Sequence, residues 1–235
     1  MLKGSNLQFT NATYFNDPFD CHPKLIDCTN VPESKSGWPP ADFIRDKNEN
    51  QLENLRNRAW ISCLSKTFDN LLMWAYYSNH NGVCIGIDRA QLAKRLNGNL
   101  GLMVFGSDVE YKDIINRPDY SNSFENLFQY QLCTKGLQWK HEQEVRYAII
   151  EPFPWIPYAL NRKPKKQEII DWKEVRFYPQ IGPSCFHSIY LGCKIKEKEK
   201  ATILDIIRSS YPEISVYQMY VNPDKFKLDA QPQSI

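Results

Sequence analysis

Two glutamates, Glu142 and Glu144, are the residues of this chain whose spacing best suits acid–base chemistry. Arg146 follows two residues later, and the segment Val145–Ile150 has the β-branched and aromatic composition that is typical of a strand. Side chains alternate along a strand, so the two glutamates and the arginine would share one face. On a helix, Glu142 would instead pair with Arg146 four residues on, and Glu144 would point away. We predict that the glutamates lie in a turn entering a strand and converge on one site.

A pair of close carboxylates supports three interpretations. One carboxylate could orient or activate a hydroxyl of a ligand while the other tunes it, although two close carboxylates raise each other's pKa. The structural alternative is an ion pair of Glu142 or Glu144 with Arg146 or Lys140. A third hypothesis is metal-dependent nuclease or phosphoesterase chemistry that adds His141 to the two acids. It ranks last because no aspartate-rich cluster accompanies these residues.

A second candidate segment lies earlier in the chain. The pattern of Ala59–Leu64 predicts a strand, and that of Asn70–Tyr77 predicts a helix with a dense apolar load. Packing accounts for most of these side chains. It accounts less well for Ser65, which follows the strand directly and could face a cleft. A tyrosine hydroxyl from the helix, on Tyr76 or Tyr77, could join it there.

The remaining pattern indicates one α+β domain over residues 1–235, with a mixed, mostly antiparallel sheet and flanking helices. Further helices are predicted at Asp42–Arg58, Gln91–Leu96, Phe124–Cys133 and Glu197–Tyr211, and Asp17 is predicted to cap a helix that begins at Pro18. Further strands are predicted at Leu7–Thr10, Val83–Ile87, Asp108–Tyr111, Val175–Tyr178, Ser188–Leu191 and Ile214–Val221. Loops are predicted at 30–40 and 151–168, the latter with the basic run Arg162–Lys166, and 223–235 is predicted to be a weakly structured tail. Ser62, Leu64, Trp74, Ile85, Val145, Ala148 and Leu191 are predicted to belong to one core.

Composition narrows the class of protein. With 42% hydrophobic residues, 24% charged residues and a net charge of +2, the chain has no general field that would attract nucleic acid or a membrane. No apolar run approaches the ~20 residues that span a bilayer, and no signal peptide is visible, so a cytoplasmic location is expected. The seven cysteines lack the close pairs of structural zinc sites, so free, buried thiols and no metal are expected.

Three segments, in this order, resemble the signature of an uncharacterised bacterial family of domains of unknown function. They are Phe15–Cys21, Leu72–Tyr77 with Gly82–Ile87, and Trp139–Arg146. The resemblance extends over nearly the whole chain and includes the late segment Ile189–Cys193. It implies a single-domain cytoplasmic protein and supplies no activity.

The layout is also similar to that of ADP-ribosyltransferases, which bind NAD in a cleft between two small sheets. In that resemblance, Ser65 lines the nicotinamide pocket and Tyr76 or Tyr77 stacks near it. Glu144 binds the ribose 2′-hydroxyl and stabilises an oxocarbenium-like transition state, and Glu142 positions the acceptor. Glu144 would be the more critical acid because it directly precedes the strand.

Those enzymes carry an arginine or histidine on the first strand, and here Arg58 or Arg146 would have to take that role. The resemblance implies NAD as substrate, no certain cofactor, a protein or nucleic-acid acceptor left open, and a setting in phage defence. The alternative from another class is a non-catalytic binding module whose glutamates form structural ion pairs.

Overall fold

The computed structural model describes residues 1–29, 41–99, 103–115, 124–151 and 173–235. Within these ranges the α-helices are Ala41–Asn57 (α1), Leu71–Ser78 (α2), Arg89–Asn99 (α3), Phe124–Cys133 (α4) and Glu197–Ser210 (α5). The strands are Phe9–Asn11 (β1), Ala59–Ser65 (β2), Val83–Ile87 (β3), Met103–Asp108 (β4), Glu110–Lys112 (β5), Thr134–Gly136 (β6), Glu144–Ile150 (β7), Arg176–Phe177 (β8), Phe186–Leu191 (β9), Ser215–Val221 (β10) and Leu228–Pro232 (β11). Short 3-10 helices cover Leu2–Gly4, Ala12–Tyr14, Pro23–Leu25, Leu137–Glu142 and Pro183–Cys185. None of the helices in these ranges combines the length and apolarity needed to cross a membrane.

Most of the strands form two sheets. The first sheet has the order β4-β7-β2-β1-β8, and each neighbouring pair is antiparallel. The second has the order β11-β10-β9-β3, with β9 and β10 parallel and the other pairs antiparallel. Parallel neighbours need a crossover, and helix α5 supplies it. The predicted α+β class with mostly antiparallel sheets and flanking helices is confirmed.

The main core lies between the two sheets. Trp60 and Ile149 of the first sheet belong to one buried cluster with Ile189, Leu191 and Val216 of the second. Helix α3 adds Leu92 and Leu96 to the cluster, and helix α5 adds Leu204 and Ile207. Each such side chain contributes about 1.5–3 kcal/mol when it is fully buried. This core holds the two sheets together.

The opposite face of the first sheet has its own smaller core. Ile61, Ala148 and Ile150 lie on this face and pack with Leu55 of α1 and Leu132 of α4. The predicted single core is therefore wrong, because Val145 and Ala148 are three residues apart on one strand and must face opposite ways. Trp74 lies in a third cluster, with Met219 and Leu228 of the second sheet.

Several elements agree closely with the prediction. The strand predicted at 83–87 and the helix predicted at 124–133 have those bounds. The strand predicted at 59–64 ends one residue later, and the helix predicted at 70–77 begins and ends one residue later. The loop predicted for 30–40, the basic run 162–166 and nearly all of the loop predicted for 151–168 lie outside the described residues.

Other local features differ from the prediction. No helix begins at Pro18; instead the Asp17 carboxylate accepts a hydrogen bond from the backbone N–H of Phe19 and forms a turn. Strand β4 was not predicted. In the predicted tail, Leu228–Pro232 forms strand β11, which pairs with β10 because the Asn222 side chain closes a tight turn by accepting from the N–H groups of Asp224 and Lys225.

Candidate functional site

Strand register brings the predicted serine and glutamate together. Antiparallel pairing of β2 with β7 sets Ser65 opposite Glu144 and Cys63 opposite Arg146. Residues directly opposite in an antiparallel pair point to the same face, so these four side chains emerge on one side of the first sheet. This is the face covered by α1, α4 and the N-terminal segment.

Glu142 reaches the same place by a different route from the one predicted on a strand. It is the last residue of the 3-10 helix Leu137–Glu142, and Gln143 follows with φ 45° before β7 begins at Glu144. The left-handed residue between the two glutamates turns the chain sharply. Both glutamates are buried and bind the same lysine. The predicted placement in a turn entering a strand agrees with the structure.

Arg146 is the centre of the site. Its side chain is 0% exposed, and its Nε and Nη2 atoms donate to the two oxygens of Glu144 at 2.7 and 3.1 Å. Nη1 and Nη2 also donate to the two oxygens of Asp20 at 2.6 and 2.8 Å, and Nη1 donates to the Leu132 carbonyl at 2.7 Å. A guanidinium held by two bidentate carboxylates is rigid and strongly oriented.

Lys135 is the second cation. Its Nζ lies 2.5 Å from Glu142 Oε2, 3.2 Å from Glu144 Oε2 and 3.8 Å from Asp20 Oδ2. It also lies 4.8 Å from the centroid of the Trp139 ring, within range of a cation–π interaction. Asp20, Lys135, Glu142, Glu144 and Arg146 together form what we call the charge cluster.

The charges of the cluster compensate the cost of its burial. Burial acts to raise the pKa of Glu144, but the Arg146 guanidinium and the Lys135 ammonium outweigh burial and lower it. For Lys135, burial acts to lower the pKa, and Glu144, Glu142 and Asp20 together raise it. Both partners therefore stay ionised across the physiological range. A structural ion-pair network behaves in the same way as a tuned active site in this respect.

One side of the buried cluster is bordered by residues that are exposed to solvent. The Tyr77 side chain on α2 is 73% exposed, and its hydroxyl donates to Glu142 Oε1 at 3.4 Å. Burial of the hydroxyl, with the Glu142 charge beside it, raises the pKa of Tyr77 to about 12. Ser65 is half-buried opposite Glu144. We call the surface formed by Cys63, Ser65, Tyr77 and Glu142 the open side of the charge cluster.

Cys63 combines exposed surface with a thiol that is closely surrounded. The residue is exposed, whereas burial of the sulfur, together with the neighbouring Glu144 charge, raises the pKa of its thiol in spite of Arg146. Because Cys63 has exposed surface, solvent reaches this residue.

Two predicted residues lie further out. Tyr76, the residue before Tyr77 on α2, is exposed, and its ring meets the His141 ring edge-on with the ring centroids 6.0 Å apart. Arg58 contacts Glu151 at 3.6 Å at the far end of β2 and is not at the cluster. The structure thus brings together Ser65, Tyr77, Glu142, Glu144 and Arg146, and it places Tyr76 beside them.

Asp20 and Lys135 were not predicted to belong to the site. Lys135 takes the role that was expected of Lys140, which is exposed. The sequence held a signal for Asp20, because this residue belongs to Phe15–Cys21, one of the segments on which the family resemblance depends. Lys135 carried none, because α4 and the 3-10 helix fold it back onto β7.

The cysteines and histidines do not form an evident metal site in the described ranges. No group of three or more His, Cys, Asp or Glu residues there is arranged to hold a metal ion. All seven cysteines are free, and Cys21, Cys28, Cys133 and Cys185 are buried as expected. Cys63 is exposed, while Cys84 and Cys193 are half-buried.

The fold and the site together define an α+β chain with a buried charge cluster under an exposed tyrosine. Residues 73–147 match the family model described as "Protein of unknown function (DUF2971)". This span is about a third of the 235 residues, and it contains Tyr77, Lys135, Glu142, Glu144 and Arg146. It supports the resemblance to an uncharacterised family, while Asp20, Cys63 and Ser65 lie outside it. No curated protein and no solved structure matched the chain.

Proposed function

We propose that this protein binds NAD or a related nucleotide on the open side of the charge cluster and cleaves it as an ADP-ribosyltransferase-like enzyme. The contact of Tyr77 with Glu142 is the observation that carries the proposal. It joins an exposed aromatic ring, which can stack on a nicotinamide, to an ionisable acid, which can bind a ribose hydroxyl.

The geometry favours Glu142 as the acid that meets the ligand. Both oxygens of Glu144 are bound by Arg146, and its side chain is 4% exposed against 9% for Glu142. Glu142 Oε2 is held by Lys135, but Oε1 has the long 3.4 Å contact with Tyr77. Rotation of the exposed Tyr77 side chain would free Oε1 to accept from a ribose hydroxyl. This revises the expectation that Glu144 is the more critical acid.

The chemistry would be cleavage of the bond between nicotinamide nitrogen and ribose C1′. The bonding electron pair leaves with nicotinamide, and C1′ acquires oxocarbenium character that a nearby carboxylate stabilises. A bond then forms between C1′ and the oxygen of water or of an acceptor group, which releases one proton. Glu142 would bind the ribose 2′-hydroxyl, and Glu144 would supply fixed negative charge behind it. Lys135 and Arg146 hold the two carboxylates in place.

The direct test combines an NAD titration with an assay for nicotinamide release. Wild-type protein should melt at a higher temperature with NAD, because a ligand that binds the folded state stabilises it. Glu142→Gln and Tyr77→Phe should reduce release of nicotinamide, with Glu213→Gln on the exposed surface as the matched control. If wild-type protein neither binds nor cleaves NAD, the proposal fails.

A second candidate is a non-catalytic binding module in which the charge cluster is structural. The observation that favours it is the saturation of Glu144 and Arg146, whose partners are Asp20, Lys135 and the Leu132 carbonyl. Two recesses of about 440 and 430 Å³ also lie elsewhere, and neither is lined by the cluster. If this candidate is right, Glu142→Gln does not change NAD binding or cleavage, and substitutions in the charge cluster change only the stability of the protein.

The setting that the resemblance implies belongs to the same proposal. A cytoplasmic enzyme that acts in phage defence should protect bacteria that express it, and Tyr77→Phe should remove that protection. Equal plaque counts with wild-type protein and an empty vector would contradict the role in phage defence. They would leave the result of the NAD assay unaffected.

A further inference from the structure

The larger of the two recesses described above lies behind helix α2, and no residue of the charge cluster lines it. It has a volume of about 440 Å³ and is formed by the two ends of the α2 region and by the β10–β11 hairpin. Leu71 begins α2 and lines one wall, and His80 follows the end of α2 and lines another. The turn of the hairpin, from Val221 to Leu228, completes the recess.

His80 is fixed in an unusual conformation at this recess. Its φ is 63°, a left-handed value that is uncommon for residues other than glycine and that asparagine, aspartate and histidine adopt more often than the rest. Its backbone is held on both sides, since its N–H donates to Trp74 and its carbonyl accepts from Lys194. Its Nδ1 atom is buried and has no hydrogen-bond partner among the described residues. A buried polar atom without a partner is costly unless a ligand or water supplies one.

The charge around the recess is mainly positive. Lys194, Lys225 and Lys227 line it with one acid, Asp224. Lys227 is already paired with Asp229 at 2.7 Å, whereas the exposed Lys194 and Lys225 form no ion pair within the described ranges. Two unpaired ammonium groups beside a histidine are suited to an anion.

Apart from Asn222, the rest of the lining is largely apolar. Leu71, Val221 and Phe226 contribute to it, and Phe226, between the two lysines of the turn, is fully exposed. A ligand that covered the Phe226 ring would remove apolar surface from water, which is favourable.

From these features we propose that the recess is a binding site for a small amphiphilic anion, a phosphate or carboxylate attached to an aromatic or aliphatic group. Lys194, Lys225 and His80 would bind the anion, and Phe226 with Leu71 would cover the apolar group. This proposal does not rest on the proposed function, because it uses none of the residues of the charge cluster.

The test is a titration of the full chain with phenyl phosphate, followed by changes in backbone amide NMR signals and in melting temperature. Inorganic phosphate and benzyl alcohol carry the two halves of the probe separately and should bind more weakly. Lys194→Gln and Lys225→Gln should each lower the affinity for phenyl phosphate about tenfold, the loss expected for one charge-assisted hydrogen bond. Lys198→Gln, at an exposed position of α5, is the matched control and should bind normally.

Two further variants separate the polar and apolar parts. His80→Asn keeps a residue that tolerates the left-handed conformation, so the fold is preserved while the imidazole is lost. His80→Asn should weaken the binding of both phenyl phosphate and inorganic phosphate. Phe226→Ser should weaken the binding of phenyl phosphate and leave the binding of inorganic phosphate unchanged. Tyr77→Phe should have no effect on either. No saturable binding, or equal binding by wild-type protein and the double variant Lys194→Gln/Lys225→Gln, would overturn the proposal.

Discussion

The charge cluster and the recess behind α2 are two polar regions with opposite states of pairing. In the cluster, Arg146 has 0% exposure and donates to Glu144, Asp20 and a carbonyl. In the recess, His80 Nδ1 is buried without a partner in the described ranges. A network whose members are all paired fixes a fold. In the recess, the exposed ammonium groups of Lys194 and Lys225 form no ion pair within the described ranges, so they are available to a ligand. The comparison suggests that the most conspicuous charges in this chain serve largely to position the open side of the cluster.

The largest effect should come from removing the centre of the cluster. Arg146→Met would leave the buried carboxylates of Glu144 and Asp20 with Lys135 as their one remaining cation in the charge cluster, which costs about 3–5 kcal/mol of unfolding free energy. Urea denaturation measures this loss. The matched control is Arg208→Met, which breaks the exposed ion pair with Asp205 and should cost less than about 1 kcal/mol. Similar losses in the two variants would contradict the structural role of the cluster.

A loss close to this size is expected from the core beneath α2. Trp74 is buried against Met219 and Leu228, and its indole N–H donates to the Phe68 carbonyl. Trp74→Ala should therefore cost about 3–5 kcal/mol. This cluster carries no charge, so its loss should be the same at pH 5 and pH 7. A loss under about 1 kcal/mol would show that Trp74 is not packed in this way.

The cluster should also give stability a dependence on pH at its acid limit. Burial opposes ionisation of Glu144, but Arg146 outweighs it, so the pKa is lower in the folded protein than in the unfolded chain. The carboxylate then contributes stability above the unfolded pKa of about 4.3, and this contribution is lost as the pH falls through the folded pKa.

Glu144→Gln tests this dependence directly. At pH 7 it should lower the unfolding free energy by about 1–3 kcal/mol, the range for a hydrogen bond to a charged partner. The gap between wild-type and variant should narrow as the pH is lowered below about 4. Unfolding curves at a series of pH values measure it, and a constant gap would contradict the assignment.

The sequence predicted the local elements well where patterns are regular. The strand-like residues of β7 were identified from composition, and the half-buried strand Val83–Ile87 from composition and from the Asn81-Gly82 turn. Strand β11 was missed because Leu-Asp-Ala-Gln-Pro has low β propensity, and the hairpin turn, rather than the residues themselves, makes it a strand.

The candidate site was predicted in part for a related reason. Glu142, Glu144 and Arg146 lie within five residues, so spacing alone brought them together. Asp20 and Lys135 join them through the packing of the N-terminal segment and α4 onto the first sheet, and such long-range contacts leave no periodic signal in one sequence. The partners that other elements bring to a buried charge are therefore the part of a site that is hardest to predict from one sequence.

The smallest predicted effect concerns the start of α2, the helix that separates the two regions. Asn70 caps it, since its Oδ1 accepts from the N–H groups of Leu72 and Met73, while its Nδ2 donates to the His141 carbonyl. Asn70→Ala should cost about 1 kcal/mol through loss of the cap. Asn70→Asp keeps the accepting oxygen and loses the donor to His141, so it should retain most of the helix stability but loosen the contact with the 3-10 helix that ends at Glu142. Melting curves report the first effect, and NMR signals of Tyr77 and His141 report the second. If both variants lose the same stability and leave those signals unchanged, α2 does not connect its cap to the open side of the charge cluster.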